Sequence, residues 1–133
     1  KDKFLIVDLC TWMHQKKVDY TNTFCHLMNF KIENNENFKD IDFQNWKKRW
    51  QERLLKNNNT LEKSIKLMRS VNPLVIPRNH KVEEVLREAN INKTDPLKKL
   101  LKVLNFPYSE QKNISHYQTS SSSKEKYQTF CGT

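Results

Sequence analysis

The sequence predicts an all-α fold of about six short amphipathic helices followed by an extended, weakly structured C-terminal tail. Three observations carry that expectation. Apolar residues recur at helical spacing in six stretches, and no stretch alternates convincingly as a strand. Capping residues and prolines punctuate those stretches where helices start and stop. From Ser109 the composition changes to a serine run, Ser120 to Ser123, with few aliphatic side chains.

Taken in order, Phe4 to Lys17 reads as a buried helix, with Leu5, Leu9 and Trp12 at i, i+4 and i+7. Ile6, Cys10 and Met13 widen its apolar stripe, and Lys16 and Lys17 suit the negative pole of the helix dipole. Asp19 or Thr21 caps a second helix carrying Phe24, Leu27 and Met28, and Asn34 to Asn37 marks a loop. Asp42 is the expected cap of a third helix, whose Phe43, Trp46, Trp50 and Leu54 share one face. Both tryptophans are expected to be largely buried, while Lys47, Lys48 and Arg49 lie off that face.

Asn57 to Asn59 breaks the third helix. Thr60 then caps a short one with Leu61, Ile65 and Met68 inward. Pro73 and Pro77 fix their own φ and push Asn72 and Ile76 out of the helical region, so Leu74 to Ile76 is extended. Asn79 stands where a cap belongs, before a helix from Lys81 to Asn90 with Glu83 and Glu84 in its first turn. Thr94-Asp95-Pro96 starts the last helix, where Leu97, Leu100, Leu101 and Leu104 face in and Lys98, Lys99 and Lys102 face out. Phe106-Pro107-Tyr108 ends it. The helical domain is thus expected over residues 1–108 and the tail over 109–133, with Tyr117, Tyr127 and Phe130 as anchors along it.

At 133 residues the chain is long enough for one modest core. Its net charge of +9 invites a nucleic-acid reading, but 19 of the 24 basic residues are Lys and arginine is scarce. A further 15 Asn make the Lys/Asn excess look like biased codon usage, and nucleic acid is set aside as a partner. The mean hydropathy of −0.88 implies a polar surface or a solvated tail. Three cysteines without framework spacing fit a reducing compartment. No apolar run approaches the roughly 20 residues of a membrane span, so no membrane partner is expected. A chain that begins without Met and already in helix reads as a piece of something longer.

The most informative stretch is Asn72-Pro73-Leu74-Val75-Ile76-Pro77-Arg78-Asn79-His80, rigid backbone followed by an Arg-Asn-His cluster at a helix mouth. Read without further context, it is a connector whose Arg78 satisfies carbonyls between packed helices. It also resembles the signature near the C-terminus of the selenoprotein O family, where Asn-Pro, an apolar pair and Arg-Asn recur in this order. Three more stretches resemble that family: Asp19-Tyr20-Thr21-Asn22-Thr23-Phe24, Trp46-x-x-x-Trp50-x-x-Arg53-Leu54, and Phe130-Cys131-Gly132-Thr133. The resemblance spans about Leu5 to Thr133. It implies a kinase-like protein that moves AMP, not phosphate, from ATP to hydroxyls of other proteins, with this chain as its C-terminal part.

The same resemblance implies that the ATP- and magnesium-binding residues belong to a kinase-like portion preceding Lys1. That portion, and the parent's protein substrates, are the expected partners. Asn72, Arg78, Asn79 and His80 are the candidates for contact with it. The compartment implied is intracellular, cytoplasmic in a bacterium and mitochondrial in a eukaryote. Within this chain no catalytic, cofactor-binding or metal residue is expected. Gly132 is the only glycine, so no glycine-rich loop can wrap a nucleotide's phosphates.

Cys131 is third from the end, like the selenocysteine of family members that carry one. The redox partner three residues before it is replaced here by Gln128, so no local Cys-x-x-Cys bridge is possible. Two readings stand for Cys131: a redox thiol with a partner elsewhere, or a terminal thiol without a role. A rival class of function, a metal or thiol site from Cys10, His14, Cys25 and His26, needs all four on converging faces. A second rival is a stand-alone basic helical module for acidic protein or RNA partners.

Overall fold

The computed structural model describes residues 2–32, 35–56 and 60–120. They form seven α-helices: α1 (Asp2–Lys16), α2 (Tyr20–Leu27), α3 (Ile41–Leu55), α4 (Leu61–Val71), α5 (Asn79–Asn90), α6 (Asp95–Leu104) and the single turn α7 (Ser115–Gln118). A 3₁₀ turn, Asn35–Lys39, stands where the sequence suggests an asparagine-rich loop. Among the described residues there is no strand.

The main core is aromatic, and α1 and α3 build it by running antiparallel. Asp2 pairs with Arg53 through two hydrogen bonds of 2.6 and 2.9 Å, and Asp8 with Arg49 at 2.7 Å. Between them, Trp46 Nε1 donates to the Leu5 carbonyl at 2.8 Å, so this buried indole has its one donor satisfied. Leu9, Trp12 and Met13 of α1 pack with Leu27, Phe38, Phe43 and Trp46. Trp12, Phe43 and Trp46 follow one another at centroid separations of 4.6 and 5.8 Å, tilted rather than face to face for the first pair. Trp50 extends the row at 6.0 Å but is only half-buried.

Several local expectations need correcting. Asp40, not Asp42, caps α3: its carboxylate accepts from the N–H groups of Asp42 and Phe43. Lys16 at 2.6 Å and the Trp12 indole at 3.3 Å hold Asp40 in that position, which nothing local in the sequence announces. Ile6 and Cys10 do not join the buried stripe of α1; both are exposed, because only the Leu5–Leu9–Trp12–Met13 side meets α3. Helix α5 begins at Asn79 with Arg78 in the cap position and no capping side chain, so Asn79 is helical and Glu83 and Glu84 fall beyond the first turn. Leu101 is exposed, while Leu100 and Val103 carry the buried side of α6. Asp19 rather than Thr21 caps α2, and Thr60 caps α4 as expected.

A single glycine leaves the left-handed turns to other residues. Asn29, Asn92 and Asn113 take φ of 65°, 64° and 62°, with Lys17 at 53°. Asparagine tolerates that region better than any residue but glycine. Part of the asparagine excess therefore has structural work. Asn57 to Asn59, and Asn34 of the expected loop, lie outside the described residues.

Candidate functional site

The extended Leu74–Ile76 run meets α2, α4, α7 and the turn that follows α6. Leu74 and Val75 are buried, and the Leu74 backbone is bonded at both ends by distant residues. Its N–H donates to the Pro107 carbonyl at 2.7 Å, and its carbonyl accepts from Gln118 Nε2 at 2.7 Å. A chain held between two prolines makes no helical hydrogen bonds, so these partners are what satisfy it inside the protein. Asn72, expected among the outward contacts, turns back on its own helix and donates to the Met68 carbonyl at 2.9 Å. Arg69 closes the end of α2, donating to the Met28 carbonyl at 3.0 and 3.3 Å while lying over the Phe30 ring at 4.5 Å.

Arg78 is aimed inward. Its two terminal nitrogens grip both Asp19 oxygens at 2.8 and 2.9 Å, a bidentate pair, and one reaches Asn22 Oδ1 at 3.4 Å. Asp19 meanwhile accepts from the Asn22 N–H at 2.8 Å, so one carboxylate both caps α2 and holds the start of α5. Burial pushes the Asp19 carboxyl up, but the hydrogen bonds from Arg78 and the Asn22 backbone outweigh it and leave it below the usual value. Arg78 Nε has no hydrogen-bond partner among the described residues. Asn79 is exposed beside it and His80 half-buried. Of the four expected contact residues, Asn79 is therefore the most outward and Arg78 is committed within the chain.

Asn22 completes the knot by donating to the Gln118 carbonyl at 3.0 Å. Gln118 is only 6% exposed, although it lies in the segment read from composition as extended tail. Residues 115–118 form a helical turn there, held at Gln118, whose carbonyl accepts from the Asn22 side chain and whose side-chain amide donates to the Leu74 carbonyl. Nothing local in its sequence signals this. Beside the knot, Asp19, Asn22, Phe38, Gln118 and Ser120 line a cavity of about 140 Å³. That is well below the roughly 300–1,000 Å³ of small-molecule sites.

The thiols and imidazoles of the rival metal site do not assemble. Cys10 is exposed on α1, whereas Cys25 is buried with Sγ 3.8 Å from the carbonyl oxygens of Pro73 and Leu74. Burial, and then the Asp19 charge, push the Cys25 thiol up to about 11, so it is no nucleophile at neutral pH. His26 stacks on Phe38 at 4.0 Å, and burial followed by the Lys47 charge holds its imidazole below the ordinary value. No group of three or more His, Cys, Asp or Glu side chains able to hold a metal occurs among the described residues. No helix among them is long and apolar enough to cross a membrane. Tyr127, Phe130 and Cys131 lie outside the described residues.

Two of the stretches that carry the resemblance, Asp19–Phe24 and Asn72–His80, are thus brought together by the Asp19–Arg78 pair across 59 positions of sequence. The family profile described as Protein adenylyltransferase SelO matches residues 1–105. The chain belongs to that family. It is 48% identical over 134 residues to the protein nucleotidyltransferase YdiU of Pelagibacter ubique (strain HTCC1062), across 100% of this chain and 28% of the relative. To proteins of the same name from Alcanivorax borkumensis and Clostridium botulinum (strain 657 / Type Ba4) it is 42% and 43% identical, again across 100% of this chain and 28% of each relative. The chain therefore spans little more than a quarter of the length of these relatives. No solved structure matches it.

Proposed function

We propose that this chain is the C-terminal helical region of a SelO-type protein adenylyltransferase and that it braces a kinase-like catalytic portion carried elsewhere in the same polypeptide. The observation behind this reading is the match along the whole chain to relatives named nucleotidyltransferases, of which it covers 28%. The parent protein, on this reading, transfers AMP from ATP to Ser, Thr or Tyr hydroxyls of other proteins, with magnesium, in an intracellular compartment.

The knot around Asp19 and Arg78 does not fit Mg-ATP. The two carboxylates with the richest bonding, Asp19 and Asp40, are spent on helix caps and on the cations Arg78 and Lys16. The cavity beside the knot is too small for a nucleotide. No step of AMP transfer is assigned to them. Their part is mechanical: Asp19 and Arg78 fix the α2–α5 corner, and Asn79 and His80 at its rim are the proposed contact with the catalytic portion. Cys131 is carried in the same reading as a redox-sensitive thiol.

The test uses the full-length protein with Mg-ATP labelled at either the α- or the γ-phosphate and a mixture of acceptor proteins. Label arriving from the α position alone is the expected result, and transfer from the γ position would overturn the reading. Repeating the assay with Cys131→Ser under oxidising and reducing conditions separates the redox element. An identical response in wild type and variant would remove it.

A further inference from the structure

The apolar stripe of helix α1 is wider than the part that meets the core. Leu5, Leu9, Trp12 and Met13 pack into the core. On the flank beyond Met13, Ile6, Val7 and Cys10 follow Lys3 at i+3, i+4 and i+7, with His14 at i+11, so the five share one face. Ile6 is 64% and Val7 49% exposed, and Lys3, Cys10 and His14 are exposed as well. Phe4, on the flank, is also open to solvent. Single exposed apolar side chains are ordinary on a protein surface. Three neighbouring ones that continue the buried stripe of α1, between Lys3 and His14, form a small apolar patch.

Two occupants can be weighed. A second copy is one occupant, and the sedimentation arm of the experiment below tests it. The remaining polypeptide is favoured by length, because this chain covers only 28% of its relatives.

We propose that the Ile6–Val7–Cys10 face of α1 is an intramolecular docking surface, covered by an apolar surface of the remaining portion of the longer polypeptide. The proposal rests on reading this chain as one part of such a polypeptide. Cys10 is a built-in reporter, since a thiol under a docked surface cannot be alkylated.

The experiment is timed alkylation of the full-length protein with N-ethylmaleimide, with Cys10 followed by peptide mass spectrometry, native and in urea. Native labelling at least tenfold slower than in urea is expected, and a smaller ratio would sink the proposal. Sedimentation at the same concentrations identifies the covering surface: protection in a monomer supports it, and protection lost as a dimer dissociates overturns it. Val7→Lys in the full-length protein provides a second readout, since the exposed site leaves this chain's own packing intact. Faster Cys10 labelling in that variant is expected, and an unchanged rate counts against the idea. AMP transfer is not among these readouts, so an inactive protein with a protected Cys10 fails only the enzymatic reading.

Discussion

Arg78 keeps only 9% of its side chain exposed and Asp19 20%, so neither charge is solvated well enough to stand alone. Their bidentate pairing is therefore worth most when one member is removed, because the other is left partly desolvated without a counter-charge. Arg78→Ala is expected to cost about 3–5 kcal/mol in urea unfolding of the full-length protein. A cost below about 1 kcal/mol, the ordinary worth of an exposed pair, would show that water replaces the guanidinium. The same pair sets an acid limit. The Asp19 carboxyl is held below the usual carboxylate range, so its contribution is complete above that range and is lost as pH falls through the lower folded value. In Arg78→Ala that part of the acid sensitivity should shrink.

Helices α1 and α3 show what periodicity can and cannot tell. Spacing put Trp46 and Trp50 on one face, and one face is where they lie, yet Trp46 is 6% exposed and Trp50 half-buried. Trp46→Ala should cost about 3–5 kcal/mol, since it removes a core aromatic and its bond to the Leu5 carbonyl. Trp50→Ala should cost no more than half as much, and equal losses in thermal unfolding would contradict the difference in burial. A period fixes the direction of a face but not the width of what covers it. Hence Ile6 and Cys10 read as core and are exposed. Caps fail for a related reason. Asp40 and Asp42 are equally good candidates locally, and Lys16, 24 positions away, decides between them.

At the level of the whole molecule, the all-helical body and most helix limits were legible because local propensity and tertiary packing agree. The candidate site was legible in halves. Asp19 stood out as a cap and Arg78 as a side chain held by prolines, but their pairing spans 59 positions and leaves no trace in either stretch. Gln118 was not legible at all. It lies near a serine run, and its value comes entirely from the Asn22 amide and the Leu74 carbonyl it bonds. Gln118→Ala should cost about 1–3 kcal/mol, because the buried Leu74 carbonyl keeps only the weak donor Cys25 Sγ. Unchanged unfolding in that variant would show that the 115–118 turn is held by something else.

That turn also gives the molecule a birth order. Ribosomes deliver a chain from its N-terminus. Asn22 is made 96 residues before Gln118, and Leu74 44 residues before it. The aromatic pairing of α1 with α3, and then the Asp19–Arg78 grip, can form on the nascent chain. The buried amide of Asn22 must wait for a partner translated much later. A chain cut short before Gln118 therefore lacks the latch that the 115–118 turn supplies.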